Sequence, residues 1–497
     1  MSKFSFVPRA GLRTALTLGV GLSILAAHMP AQAQETTTED DSTRTMQTVT
    51  ITATKREQTL QDVPVAVSVV SDETIEQAEI VDLNDLQSLV PSLRVGQLQS
   101  SANTNFTIRG FGNGANNAGI EPSVGVFIDG VYRSRSAAQI ADLPNIQRVE
   151  VLRGPQSTLF GKNASAGVIS IVTKAPQFEQ QGSVEATIGN YNQVRIAGDV
   201  TGPITDKVAY SLAANFNKRD GYAKDLNTGA DVNQRDRWGV RGQLLIEPSS
   251  DLSFRIIGDY DSIDELCCVA ANVVNGPTGA AVMALGGMLD AENPYSYDVY
   301  NNFNSTNKIE NSGLSVQADY KLGFANLTSI TAYRTSKLDT NQDSDFTSAD
   351  LLGKNSNVTD IDTFTQELRL TSTGEGAVDW MVGAFYFDES VDIQNQIQYG
   401  SDIRGYIDLL SSNLLTGLEP VVFGVPAGTF FQPGQGLTEA YGQDDTAFSL
   451  FGTVDYHLTD RLTATLGLNY TQDNKDAFGR VTSTDAFSAI DLGVLAP

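Results

Sequence analysis

The sequence predicts a small mixed α/β domain followed by an antiparallel transmembrane β-barrel, truncated to about half its strands. Three observations carry this. An export leader opens the chain. From about residue 181 apolar residues recur with period two, in runs of roughly ten residues. Short and long connections alternate strictly between those runs.

The leader comes first. Lys3, Arg9 and Arg13 form a basic start, Ala15 to Ala27 a short apolar run, and Ala31-Gln32-Ala33 a small-x-small cleavage site. Residues 1–33 are therefore expected to be removed. The apolar run is too short to span a bilayer as a helix, and no later run of about 18 apolar residues exists. An exported chain of this kind is periplasmic, extracellular or a barrel.

The 497 residues carry a net charge of −26. The leader holds three basic and no acidic residues, so its loss takes the net charge to −29. Nucleic acid is excluded as a partner, because phosphate neutralisation needs Lys and Arg in excess. The two cysteines, Cys267 and Cys268, are adjacent. They close no useful loop, and either free thiols or a vicinal disulfide fits. His28 and His457 are the two histidines and the first lies in the leader, which disfavours a site of clustered His or Cys ligands.

Residues 34–56 read as an acidic, disordered lead that contacts no core. Within it Thr48, Val49, Thr50, Ile51, Thr52 and Ala53 alternate β-branched and small residues, which suits an extended strand. Residues 57–176 form the α/β unit. Ser71 opens a helix with Glu73 and Glu76 early, and a second helix over 83–90 ends before Pro91. Strands follow around Phe106 to Arg109, Ser123 to Ile128, Val149 to Leu152 and Gly167 to Thr173, with a hairpin turn at Asp129-Gly130.

Residues 181–497 belong to the barrel. Val208, Tyr210, Leu212, Ala214 and Phe216 share one face, against Lys207, Ser211, Asn215 and Asn217 on the other. The same alternation puts Trp238, Phe254 and Tyr260 on the lipid side and Arg241, Arg255 and Asp259 inside. Short turns near 202–206, 247–251, 321–323 and 457–460 separate long connections near 218–236, 263–311, 336–361 and 391–443. A soluble sandwich also alternates, but it rarely carries so many long links. About eleven strands fit between 183 and 471, roughly half of a barrel of some twenty-odd strands. An open barrel would leave bare edges in lipid, so the sequence reads as a fragment.

Residues 48–174 resemble the TonB-dependent outer-membrane receptor family. Thr48-Val-Thr-Ile-Thr-Ala53 is similar to its TonB box, and Phe106-Thr-Ile-Arg-Gly-Phe111 to a plug motif. Gly125-Val-Phe-Ile-Asp-Gly-Val-Tyr132 and the stretch from Ile146 to Gly161 resemble the rest of the plug core. The resemblance implies a mixed α/β plug domain inside the barrel, a place in the cell outer membrane and surface capture of a scarce solute such as a ferric siderophore. It implies energised uptake through TonB and its inner-membrane energy complex, with no cofactor. It also implies an ion-pair lock between plug arginines and a barrel glutamate. Phe364, Leu368 and Leu370 would face lipid, so Glu367 points inward, and Arg109 and Arg153 are the candidate partners.

No enzyme signature is present. Asp339, Asp343, Asp345 and Asp350 could suggest calcium, but they lack the glycine placement of a calcium loop, and a solvated acidic loop is the better reading. Competing functions are a passive porin, which needs neither box nor plug, a receptor for vitamin B12 or glycans, a signalling receptor and a secreted adhesin. Only about fourteen residues separate the cleavage site from the box, too few for a signalling domain.

Overall fold

The computed structural model describes residues 2–6, 50–52, 54–56, 58–113, 119–139, 142, 145–289, 293–374 and 376–491. The cleavage site, most of the acidic lead, and Thr48, Val49 and Ala53 of the box lie outside the described residues.

The plug strands are β1 (Val67–Ser71), β2 (Leu93–Gln97), β3 (Thr104–Ile108), β4 (Val124–Ile128), β5 (Val131–Arg133), β6 (Ile146–Arg153) and β7 (Gly167–Thr173). Five of them form one sheet in the order β1-β6-β7-β4-β5, with β7 and β4 parallel, and β2 pairs with β3 separately. The parallel pair is buried on both faces, as parallel pairs generally are, and β4 buries all five residues. Asp129 and Gly130 both take positive φ, 49° and 77°, which a tight hairpin requires. Helix α1 (Asp72–Gln77) starts where expected: Ser71 Oγ accepts from Thr74 N at 3.3 Å. The second expected helix is only a 3-10 turn over Asp85–Ser88. Asp82 and Asp85 bind nearby backbone N–H groups instead, at 2.8 Å for Asn84 and 3.0 Å for Val81, and so compete with helix formation.

Eleven barrel strands follow: β8 (Gln181–Gly189), β9 (Gln193–Thr205), β10 (Val208–Arg219), β11 (Arg235–Ser249), β12 (Leu252–Cys267), β13 (Ser305–Lys321), β14 (Ala325–Asn341), β15 (Leu352–Ser372), β16 (Val378–Tyr399), β17 (Gly436–Thr459) and β18 (Leu462–Ser483). Each pairs antiparallel with its neighbour in chain order, in one open sheet. Ser2–Phe6, inside the expected leader, pairs with the free edge of β8, Phe4 opposite Ala186. Cleavage of the leader would bare that edge.

The register matches the alternation. Trp238 is 43% exposed on the outer face and stacks 5.0 Å from Tyr260, while Arg241 and Arg255 reach the plug. The short turns fall at one end. The long links are shorter than the sequence suggested, because the strands run on beyond the bilayer. β17 has 24 residues, where a tilted crossing needs about 9–11. Ladder hydrogen bonds persist without an apolar face, so loss of alternation marks the end of the lipid, not of the strand.

Three of the long-link segments pack together as an outer cap. Val282 in α2 (Pro277–Ala284) shares a core with Leu289, Ala349 and Leu351, and Ile403 and Tyr406 of α3 (Ile403–Leu410) close over it. The acidic loop is not merely solvated, contrary to the sequence reading. Asp343 is fully buried; it accepts from Asn302 N at 2.8 Å and from Asp345 N at 3.1 Å. Burial, with Asp345 nearby, pushes its carboxyl up to about 7. Asp350 accepts from Ser401 N at 2.8 Å. These carboxylates cap backbone and tie loops together, while Asp339 lies exposed on β14. Cys267 and Cys268 are joined as a disulfide.

Candidate functional site

Two regions of the plug–wall interface hold the candidate functional residues: a tether at the short-turn end and a cavity at the long-loop end. The tether is the end of the box segment. Thr50 and Ile51 pair with Gln58 and Thr59 as a small ribbon. Ile51 is fully buried among plug and wall residues, including Leu152, Val168, Phe387 and Ala447. Thr52 N donates to Glu150 Oε1 at 3.0 Å, and Glu150 is held by Arg148 Nε at 2.6 Å. Lys55 Nζ then reaches Glu367 Oε2 at 2.5 Å and lies 5.1 and 4.8 Å from the Phe160 and Phe451 rings. Arg56 Nη1 reaches Asp455 at 2.8 Å. The expectation that residues up to about 56 touch no core is thus overturned for the described ones. Burial of one isoleucine and two ion pairs outweighs the polar character of the preceding lead.

Glu367 does point inward and does hold a cation from the plug side, but not the expected one. Its partners are Lys55 and Arg369, the latter at 2.5 Å. Among the described residues neither Arg109 nor Arg153 forms an ion pair. Arg109 stands exposed in a turn that the eleven strands leave uncovered, and Arg153 Nε has no hydrogen-bond partner there. The lysine had already taken the carboxylate, and nothing in the family motif marks it.

Further ion pairs bind the plug to the wall. Arg237, 1% exposed, contacts Glu265 at 2.6 Å, Asp142 at 3.0 Å and Asp82 at 3.2 Å. Arg135 donates from Nε and Nη2 to Glu389 Oε1 at 3.0 and 2.7 Å. Asp129 is held by Arg241 and, at 3.4 Å, by Arg255. Lys162 and Lys475 bridge the carboxylates of Glu121, Asp445 and Asp473, with Lys162 at 2.5 Å from Asp445. The two ammoniums occupy the centre a cation would need. Alternation showed which wall residues face inward, but pairing across the interface needs the plug's placement, which one sequence does not give.

At the long-loop end a cavity of about 400 Å³ lies between the plug hairpin around Gln99 and strands β14 to β17. Its wall is rich in side-chain amides, among them Asn355, Asn357 and Asn395.

Residues 59–168 match the model of the TonB-dependent Receptor Plug Domain. The chain belongs to the TonB-dependent receptor family. An iron-regulated outer membrane virulence protein of Vibrio cholerae is 31% identical to the receptor over 200 residues, 36% of this chain and 29% of that protein. The ferrioxamine B receptor of Salmonella typhimurium is 28% identical over 198 residues, 39% of this chain and 27% of its own. Among solved structures, the ferric yersiniabactin uptake receptor of Yersinia pestis superposes with a TM-score of 0.68 at 19% identity, covering 85% of this chain and 58% of that one. The receptor thus spans under a third of these curated relatives and little more than half of that solved chain. Its place is the outer membrane. The family consists of transport receptors, not enzymes.

Proposed function

We propose that the receptor captures a scarce solute at the cell surface, most favourably a ferric siderophore, and admits it when TonB pulls the box at Thr48 to Ala53. The observation that carries this reading is the tether. The box segment itself docks through Ile51 and Thr52 and leads directly into Lys55 and Arg56, and these four residues hold both the plug and the barrel wall at the short-turn end. A force on it would load the plug first. Siderophore receptors among the relatives and solved neighbours support the solute class.

The plug over 57–176 then acts as the gate, and the outer cavity as the seat of the solute. A passive porin would need neither a gate nor a tether. Val49→Pro in the full-length receptor tests the reading, since proline removes a strand N–H and fixes φ. Uptake should be lost while surface binding of the solute survives. Normal uptake by that variant overturns the assignment.

A further inference from the structure

We propose that the route through the receptor opens between plug segment 129–135 and wall strands β14 to β16, with Ile51 as the pin that holds that segment shut; this rests on the uptake reading above.

A second cavity, of about 910 Å³, lies at the short-turn end. Lys55, Phe127 and Glu367 line it, so it adjoins the tether. It shares two wall strands with the outer cavity. On β15, Ile361 lines the outer cavity and Glu367 the inner one, with the buried Thr363 and Thr365 between them. On β14, Leu338 and Ile330 stand in the same relation, with Ser336, Arg334 and Ala332 between. Residues 129–135 cover this stretch. Val131 packs on Ile330 and Ala332. Arg133 approaches Asp259, which Arg334 holds at 2.6 Å. Arg135 holds Glu389, which also accepts from Thr363 Oγ1 at 3.0 Å. Displacing this one segment would join the two cavities and leave the plug sheet behind it in place.

The segment has firm ends and a weak middle. Asp129 accepts from Thr173 N and from Thr173 Oγ1, both at 2.9 Å. At the other end Arg135 lies 2.7 Å from Glu389. Between them β5 is the three-residue edge strand of the plug sheet. Arg133 is 5% exposed, yet Asp259 is 3.8 Å away, beyond hydrogen-bond reach, and Arg133 Nε has no hydrogen-bond partner. A buried cation so loosely paired recovers little of its desolvation cost. Small cavities of about 10 and 30 Å³ both border Arg133, and atoms that line a void lack dispersion partners there. Parts of low local stability are the ones that move.

Ile51 connects the box to that middle. It shares a buried core with Phe127, Tyr132 and Phe387. The rings form a column: Phe160 lies 5.0 Å from Phe127, Phe127 5.3 Å from Tyr132, and Tyr132 6.0 Å from Phe387. The Lys55 ammonium lies over Phe160. Drawing Ile51 out would leave a hole beside Tyr132. Packed cores switch between discrete arrangements and do not stretch smoothly, so the hole should release β5. The pull on the box thus acts on the weakest part of the seal.

Thiol labelling and cross-linking in the full-length receptor test this. Val131 is 3% exposed, so Val131→Cys should react slowly with a small maleimide. Adding Ile51→Ala should speed that reaction at least tenfold, while Val95→Cys, in the other plug core, keeps its rate. An unchanged rate for Val131→Cys overturns the pin, as does an equal rise for Val95→Cys, which would mean a general loosening of the plug. For the route, the pair Val131→Cys and Ala332→Cys ties the segment to the wall. The pair Ser101→Cys and Asn307→Cys ties the plug to the wall elsewhere, where Asn307 Nδ2 donates to Ser101 Oγ at 2.8 Å. The uptake probe is a radioiron-loaded linear trihydroxamate. Oxidation should cut iron entry at least tenfold in the first pair and leave the second near its reduced rate. Normal entry through the oxidised first pair, or loss in both pairs, overturns the route and leaves the uptake reading intact. Absence of entry in the parent would instead count against the uptake reading, and the labelling rates would still decide the pin.

Discussion

Lys55 Nζ lies 2.5 Å from Glu367 Oε2, so the barrel glutamate that alternation aims inward is held by the residue two places beyond the box. Both side chains are nearly sealed from solvent, at 10% and 5% exposure. Arg369 shares the carboxylate, and Phe160 and Phe451 cover the ammonium. The pair thus joins the segment around Ile51 and Thr52 to the wall and not to the plug alone.

Removing one partner of such a buried pair typically costs about 3–5 kcal/mol, because the other charge stays desolvated. Glu367→Ala should therefore free the tether without unfolding the barrel. Trypsin should cut after Lys55 or Arg56 much faster than in the parent. Arg109→Ala, which breaks no ion pair among the described residues, should leave that rate unchanged. Equal cleavage in Glu367→Ala and the parent would count against the tether.

Arg237 gives a second, independent test. It is 1% exposed and stands among Glu265, Asp142 and Asp82, at 2.6, 3.0 and 3.2 Å. Arg237→Met removes the cation that three carboxylates share, and although Glu265 keeps Arg235 at 3.6 Å and Asp142 keeps Asn217 at 2.9 Å, the loss should again be on the order of 3–5 kcal/mol. Plug segments near Asp82 and Asp142 should gain hydrogen exchange while the short turns of the wall do not. Unaltered exchange in those plug segments would show that the cluster carries no net energy.

Much of this fold was legible in the sequence, and the failures have physical causes. Period two placed Trp238 outside and Arg241, Arg255 and Glu367 inside, because lipid and plug impose opposite demands on alternate residues. The Asp129-Gly130 turn was legible because two positive φ angles in succession favour that pair of residues. Lys55, Arg56 and Glu150 were missed: a lead judged by its average composition hides single residues that dock. Asp343 was misjudged as solvated, since a carboxylate capping loop backbone has the same sequence signature as one in water. The partner of Glu367 was taken from a motif, and a nearer cation had filled the place.

The outward position of Trp238 predicts its fluorescence. In a Trp380→Phe background, brominated lipid should quench Trp238 strongly, since it is 43% exposed on the lipid side. Trp238→Arg should cost about 2–4 kcal/mol if the site lies near mid-bilayer, falling to about 0–1 near the interface. Absence of quenching by the lipid probe would overturn the register.

The outer cap predicts a dependence on pH. Arg404 contacts Glu419 at 2.6 Å and Asp408 at 2.8 Å, and Glu419 accepts from Phe430 N at 2.9 Å and from Gly428 N at 2.5 Å. Phe430 in turn packs 5.3 Å from both Phe423 and Phe487. The hydrogen bond from Arg404, helped by the two backbone donors, draws the Glu419 carboxyl from its ordinary 4.5 down to about 2. A lowered carboxylate pKa stabilises the folded loop above the ordinary value. That contribution falls away as pH drops from about 4.5 through about 2. Pepsin, which works across this window, should spare the 400–435 segment at pH 4 and cut it at pH 2. Other carboxylates titrate there too, so the control is Glu419→Gln, which removes the charge at every pH. That variant should be cut at pH 4 as well, and its difference from the parent should vanish at pH 2. A variant as resistant as the parent at pH 4 would mean that the aromatic cluster, not Glu419, holds the cap.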